Sequence, residues 1–304
     1  MERSTTMKLK FWGVRGSIPT PGKSTVKYGG NTPSLELRLD NDELIILDAG
    51  TGIRNLGDHL IAKGESLNTS ILITHPHWDH IQGFPFFKPA FISGNEITVI
   101  GTDREEIDLQ HIIADQMKRI YFPVQLNELK AKLQFRSIGE EEFTVHGATV
   151  RTIYVNHPGF TVGYRIEHKG KSLVYISDNE PFDHESASSP SNFEPSVIKR
   201  FAAVKGDANT RIAEFAKGAD VFIHDATYTP EEYVEKVGWG HSHYLFTLSL
   251  AHRAGVKHCV LFHHEPNRTD EQIDRILEKC RKELRTRNYS FECTAAYEGL
   301  EISW

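Results

Sequence analysis

The chain has 304 residues, 39% of them hydrophobic and 25% charged, and a formal charge of −6. This composition excludes fibrous and intrinsically disordered classes and describes an ordinary soluble globular protein, long enough for a large α/β core. The mild acidity disfavours long nucleic acid as a partner, because a protein gripping many phosphates usually carries a basic stripe, but it leaves small anionic substrates open.

In chain order, short strand-like runs alternate with helical ones, and no change of composition marks a linker, so one domain spanning residues 1–304 is expected. Leu35 to Leu39, Leu44 to Leu47 and Ile71 to Ile73 read as early strands, each closed by polar or glycine residues. Asp48-Ala49-Gly50-Thr51-Gly52 then turns the chain into a helix. Ile107 to Ile120 has apolar residues near helical spacing and is stopped by Phe122-Pro123. Thr149 to Val155, Thr161 to Glu167 and Ser172 to Ser177 read as consecutive antiparallel strands. Asn179 to Asn192, rich in proline and serine, reads as a mobile insertion before a helix at Pro195 to Ala203. Val221 to His224 and Cys259 to His263 are late strands, with helices at Tyr244 to Arg253 and Asp270 to Leu284.

Cys259, Cys280 and Cys293 are odd in number and form no CxxC, so neither a disulfide framework nor a thiolate zinc site is expected, and the cytoplasm is the expected compartment. Residues 1–10 contain no apolar leader core, and no run reaches the roughly 18 apolar residues of a membrane span. Met7 is a candidate natural start, with residues 1–6 expected to be disordered.

Thr74-His75-Pro76-His77-Trp78-Asp79-His80 follows the apolar run Ile71-Leu72-Ile73 and concentrates three imidazoles and a carboxylate. His75 and His77, alternating at the mouth of a strand, can address one ion, and Asp79 and His80, one turn onward, a second. Further candidates stand at strand ends: His157, Asp178 and His263. Singly, each could be a packed histidine or a turn aspartate. Together they supply two ions, with His75, His77 and His157 on one, Asp79, His80 and His263 on the other, and Asp178 bridging, since each carboxylate oxygen can serve a different metal.

This HxHxDH run, followed by a separated His, Asp and His, resembles the metallo-β-lactamase superfamily over nearly the whole chain. The resemblance implies a four-layer αββα sandwich and hydrolytic chemistry, while leaving lactams, thioesters, lactones and phosphodiesters open as substrates. His224-Asp225-Ala226-Thr227-Tyr228 and Gly240-His241-Ser242 look like the HEAT and GHS motifs of the ribonuclease Z branch, with aspartate in place of the glutamate. That likeness implies a dyad in which His241, supported by Asp225, protonates a leaving oxygen. Asp79, Asp225 and His241 are thus the catalytic candidates, and His224 reads as packed. Asp48 is expected to orient a ligand histidine. His263 is chosen as the last ligand over His264, which becomes a neighbouring or substrate-contacting group.

The segment from Phe11 to Pro19, with Gly13, Arg15, Gly16 and Ser17, and the later Gly29-Gly30-Asn31-Thr32 look like the compact phosphodiesterases of that branch, including cyclic-nucleotide phosphodiesterases and anti-Pycsar enzymes. Arg15 and Asn31 are candidates for phosphate contact. No long glycine-rich basic arm, the device by which ribonuclease Z grips transfer RNA, is visible, and Glu180, Asp183 and Glu185 stand in a comparable interval. Trp78, Phe84, Trp239 and Tyr244 are candidates to stack on a base.

The expected function is hydrolysis of a small cyclic phosphodiester, foremost a 3′,5′-cyclic nucleotide, by a hydroxide bridging two divalent ions, zinc with manganese as the alternative. A transfer RNA 3′-processing endonuclease, an ester, thioester or lactone hydrolase, and a noncatalytic metal-binding scaffold are the competing readings. No membrane partner is expected, and the resemblance implies a homodimer.

Overall fold

A computed structural model describes residues 6–64, 66–104, 107–182 and 208–304. Its strands are β1 (Lys8–Gly13), β2 (Ser34–Arg38), β3 (Leu44–Leu47), β4 (Asn68–Leu72), β5 (Glu96–Gly101), β6 (Lys132–Ser137), β7 (Glu142–Val145), β8 (Ala148–Tyr154), β9 (Val162–His168), β10 (Lys171–Ile176), β11 (Val221–Asp225), β12 (His258–Phe262), β13 (Glu292–Ala295) and β14 (Glu301–Ser303). The helices are α1 (Gly52–Ala62), α2 (Trp78–Ile81), α3 (Leu109–Gln116), α4 (Ala208–Phe215), α5 (Pro230–Tyr233), α6 (Tyr244–Ala254) and α7 (Asp270–Arg287).

The chain is organised as two compact units. The first takes the chain up to Gly139 with Thr144–Ala148 and Tyr297–Trp304, and the second takes Glu140–Phe143 and Thr149–Ala296. The first carries a seven-stranded sheet in the order β14-β1-β2-β3-β4-β5-β6, antiparallel from β14 to β3 and parallel from β3 to β6. Every residue of β3, Leu44-Ile45-Ile46-Leu47, is buried, which suits an interior strand covered on both faces. The amphipathic α1 lays Ile53, Leu56 and Leu60 into a core with Ile46, Ile71 and Val99.

The second sheet repeats the scheme in the order β13-β12-β11-β10-β9-β8-β7. Strands β10 to β13 are parallel, and β8, β9 and β10 are antiparallel. Helix α7 starts at a capping box, Thr269 with Gln272, and buries Ile273, Ile276, Leu277, Cys280 and Leu284 at helical spacing. Helix α6 ends on Gly255 in the left-handed conformation, φ 63°.

The expected antiparallel run from 149 to 177, both late strands and the helices after 244 and 270 are present. Strands β1, β5, β6, β7, β13 and β14 are additions. The helix expected over Ile107 to Ile120 is shorter, because Asp108 caps its start by accepting from the His111 N–H and the chain leaves helical geometry at Met117. The expected helix at Pro195 to Ala203 and the terminal residues 1–5 lie outside the described residues, as does most of the expected insertion at 179–192. Among the described residues no helix is long and apolar enough to cross a membrane.

In each sheet the parallel half brings chemistry-bearing residues to the carboxyl ends of its strands. Asp48 follows β3, Thr74 and His75 follow β4, Asp178 follows β10, Asp225 ends β11 and His263 follows β12. Ligands of open α/β sheets collect at such ends, because there the loops, not the strands, decide what faces the crevice.

Candidate metal-ligand sites

In the first unit, Asp48 is fully buried and held in left-handed backbone geometry, φ 57°. Its Oδ1 accepts from the Thr74 N–H at 2.8 Å, and its Oδ2 lies 2.8 Å from His80 Nδ1. A carboxylate only accepts, so Nδ1 carries the proton and His80 presents Nε2, which lies 3.3 Å from Asp79 Oδ2. Asp79 Oδ2 also accepts from the Ser17 N–H at 2.7 Å, which places the N-terminal Gly16-Ser17 turn against this carboxylate. The Thr74 hydroxyl donates to Asp48 and is 3.1 Å from His75 Nδ1, while His75 Nε2 faces His77 Nδ1 at 3.0 Å.

In the second unit the same logic recurs. His157 Nδ1 donates to the Gly240 carbonyl at 2.8 Å, and its Nε2 lies 3.8 Å from Asp178 Oδ2. His263, at φ 58°, has Nε2 3.2 Å from the same oxygen and Nδ1 3.2 Å from the Thr227 hydroxyl. His241 Nδ1 donates to Asp225 Oδ2 at 2.8 Å. Asp225 is fully buried, and its Oδ1 accepts from the Thr227 N–H at 2.9 Å. His157, Asp178 and His241 form one group able to hold a metal ion, and Asp225, His241 and His263 another.

These residues fit a divalent cation. In both units imidazole nitrogens converge on carboxylate oxygen or on each other, and the opposite nitrogen of His75, His80, His157 and His263 is occupied by a partner that sets the tautomer. Orientation of this kind is what metal-binding histidines require.

The remaining candidates are placed elsewhere. His264 Nε2 donates to the Ala296 carbonyl at 2.8 Å, so of the adjacent pair only His263 faces Asp178. Arg15 is fully buried and its Nε donates to the Gly29 carbonyl at 2.8 Å. Asn31 is tied through its backbone and side-chain N–H groups to Glu298, at 2.7 and 3.0 Å. His224 donates from Nδ1 to the Asp225 carbonyl and accepts at Nε2 from Asn179, and burial pushes its pKa down to about 4, so it is a packed neutral imidazole. Phe84 and Tyr244 are core residues, whereas Trp78 and Trp239 are 78% and 58% exposed.

One expectation is corrected. Glu180, read as part of an exposed acidic loop, is buried, because its carboxylate accepts from Tyr233, Gly238 and Gly240. Together with Thr74 and Thr227 it is a residue that sequence reasoning missed. All three stand within two residues of a strand-end histidine or aspartate, the one local signal that could have found them.

A model of the beta-lactamase superfamily domain matches residues 44–197, about half of the chain. The chain belongs to the beta-lactamase superfamily. This superfamily member is 24% identical to the ribonuclease Z of Staphylococcus haemolyticus (strain JCSC1435), over 94% of this chain and 97% of that one. It is similar to the metallo-beta-lactamase fold protein YhfI from Bacillus subtilis, with a TM-score of 0.68, 16% identity and coverage of 99% and 100% of the two chains. It is also similar to yeast PDE1, with a TM-score of 0.64, 16% identity and coverage of 98% and 99%. The structural likenesses carry the fold, an α/β metallo-β-lactamase fold with two mixed sheets flanked by helices, as the motifs implied. Membership and the His/Asp donor groups together describe a hydrolase of this superfamily able to hold metal.

Proposed function

We propose that this superfamily member is a metal-dependent phosphodiesterase that hydrolyses a small cyclic phosphodiester, in first place a 3′,5′-cyclic nucleotide. The observation that carries the reading is the Asp225–His241 pair, a buried carboxylate holding an imidazole at 2.8 Å within reach of Asp178. An alkoxide leaving group needs a proton, and a histidine paired with a carboxylate can deliver it. His75, His77 and His157 are proposed to hold one divalent ion, Asp79, His80 and His263 a second, and Asp178 to bridge them. Zinc is the first choice and manganese the alternative.

When bound, two such ions supply an activated water and Lewis-acid polarisation of the phosphoryl oxygens. The protein's own contribution is orientation and proton transfer. Because His241 gives its Nδ1–H to Asp225, the transferable proton of the imidazolium sits on Nε2. Asp225 stabilises that cation while Thr227 and the Asn179 N–H hold the carboxylate in place. Asp48, Thr227 and the Gly240 carbonyl fix the rings of His80, His263 and His157 before any substrate arrives.

A second reading, transfer RNA 3′ processing, is favoured by the 24% identity to a ribonuclease Z along nearly the entire chain. The deciding experiment is metal-loaded protein incubated with cyclic nucleotides, a phosphoribosyl cyclic phosphate and precursor transfer RNA. Turnover of a cyclic substrate supports the first reading; turnover of precursor transfer RNA alone replaces it with the second.

A further inference from the structure

Glu180 stands two residues after Asp178 and is 3% exposed. Its Oε1 accepts from the Tyr233 hydroxyl at 2.9 Å and the Gly238 N–H at 2.6 Å, and its Oε2 accepts from the Gly240 N–H at 2.8 Å. Its own N–H donates to the Asn156 carbonyl at 2.8 Å, one residue before His157. One side chain therefore fastens both ends of the segment between the end of α5 and His241. Val234, Val237 and Trp239 in that segment are exposed, so apolar burial does little to hold it, and the carboxylate's hydrogen bonds carry that task.

Gly240 is the pivot. Its N–H is held by Glu180, its carbonyl accepts from His157 Nδ1, and the next residue is the dyad histidine. Gly240 has φ +83°, and a Cβ there would lie 2.5 Å from His157 Nδ1, so the peptide is pressed against the ring. A small displacement of this backbone removes the acceptor that selects the His157 tautomer and shifts His241 against Asp225.

We propose that Glu180 is a positioning residue: through the backbone of Gly238 and Gly240 it sets the tautomer of His157 and the placement of His241. This deepens the proposed function and rests on His157 being a metal ligand. The carboxylate is required because three donors meet two acceptor oxygens. A glutamine has one acceptor oxygen, so its amide NH2 must oppose either the Gly238 or the Gly240 N–H, and one buried backbone donor loses its partner.

The test uses the full chain as wild type, Glu180→Gln, Glu180→Ala and Tyr233→Phe. Zinc affinity is measured by competition with a chromogenic chelator. Imidazole 15N–1H spectra of the metal-free proteins report ring tautomers, with His157 assigned by a His157→Gln variant. Glu180→Gln is expected to weaken zinc binding about 10–100-fold, the usual cost of losing an orienting partner, and to convert His157 from a single Nδ1–H tautomer to a mixture. Tyr233→Phe keeps both backbone bonds and is expected to retain wild-type affinity and tautomer. The proposal is overturned if Glu180→Gln keeps both properties, or if Tyr233→Phe loses as much as Glu180→Gln. If Glu180→Ala fails to fold, the other two variants still decide. If wild type binds no zinc, the metal reading falls, while the tautomer measurement still judges Glu180.

Discussion

Asp225→Asn isolates the proposed leaving-group acid while leaving the backbone in place. The Asp225 carboxylate accepts from the Thr227 N–H and hydroxyl at Oδ1, at 2.9 and 2.8 Å, and from the Asn179 N–H and His241 at Oδ2, at 3.2 and 2.8 Å. An amide cannot accept at both positions. Each carboxylate oxygen serves two donors, one of them a backbone N–H, and the Thr227 N–H bond is the shorter of the two backbone bonds, 2.9 against 3.2 Å. With the amide oxygen kept on that side, the NH2 turns to His241 and forces that ring to accept at Nδ1. The imidazolium then loses its carboxylate. A hydrogen bond to a charged group contributes about 1.5–3 kcal/mol, and positioned acid catalysis about 10²–10⁴-fold in rate. The assay compares substrates differing in leaving group: a cyclic nucleotide, whose alkoxide needs the proton, and bis(p-nitrophenyl) phosphate, whose phenolate does not. The expected result is a loss of 10²–10⁴-fold in kcat on the first and a much smaller loss on the second. Equal losses on both substrates would refute the acid role and return Asp225 to a purely structural one.

Other expectations follow from the same geometry. Asp48→Asn tolerates the left-handed backbone but cannot match every donor around the carboxylate, so zinc affinity should fall about 10–100-fold in a chelator competition. Gly240→Ala imposes a Cβ at φ +83° against His157, and should cost at least about 1–2 kcal/mol in urea unfolding together with metal affinity. His224 has a folded pKa near 4 against 6.5 in its ordinary state, so the unfolded chain binds more protons between these values. Its contribution is present above pH 6.5 and is lost as pH falls towards 4, by up to about 3 kcal/mol; His224→Gln should flatten the stability slope in that window, and an unchanged slope would contradict the assignment. Raising salt from 50 to 200 mM should leave kcat/KM for a cyclic nucleotide nearly constant, whereas cleavage of transfer RNA would fall steeply.

Much of the fold was legible because its signals are local. Buried strands such as Leu44–Leu47 are short continuous apolar runs, and α7 shows helical spacing under a Thr269 cap. Strands β6 and β14 were not legible. Each is only partly buried, and each takes its hydrogen bonds from a distant partner, β5 and β1. The same contrast divides the candidate residues. His263 and His264 are neighbours in sequence, His263 preferred there because it directly follows the strand, and the end of β12 turns one towards Asp178 and the other towards Ala296.

By itself the sequence determined the donor inventory. Histidines and aspartates stand where parallel strands end, and that placement follows from local patterning of apolar runs and the polar residues that close them. Tertiary structure decided which nitrogen His80, His263 and His157 present, because the partner that takes the other nitrogen, Asp48, Thr227 or the Gly240 carbonyl, comes from a different strand end or loop. It also decided that Arg15 and Glu180 are internal. A charged side chain reads as exposed until the backbone groups that satisfy it are brought around it, and those groups, Gly29 for one and Gly238 and Gly240 for the other, leave no local trace in the sequence.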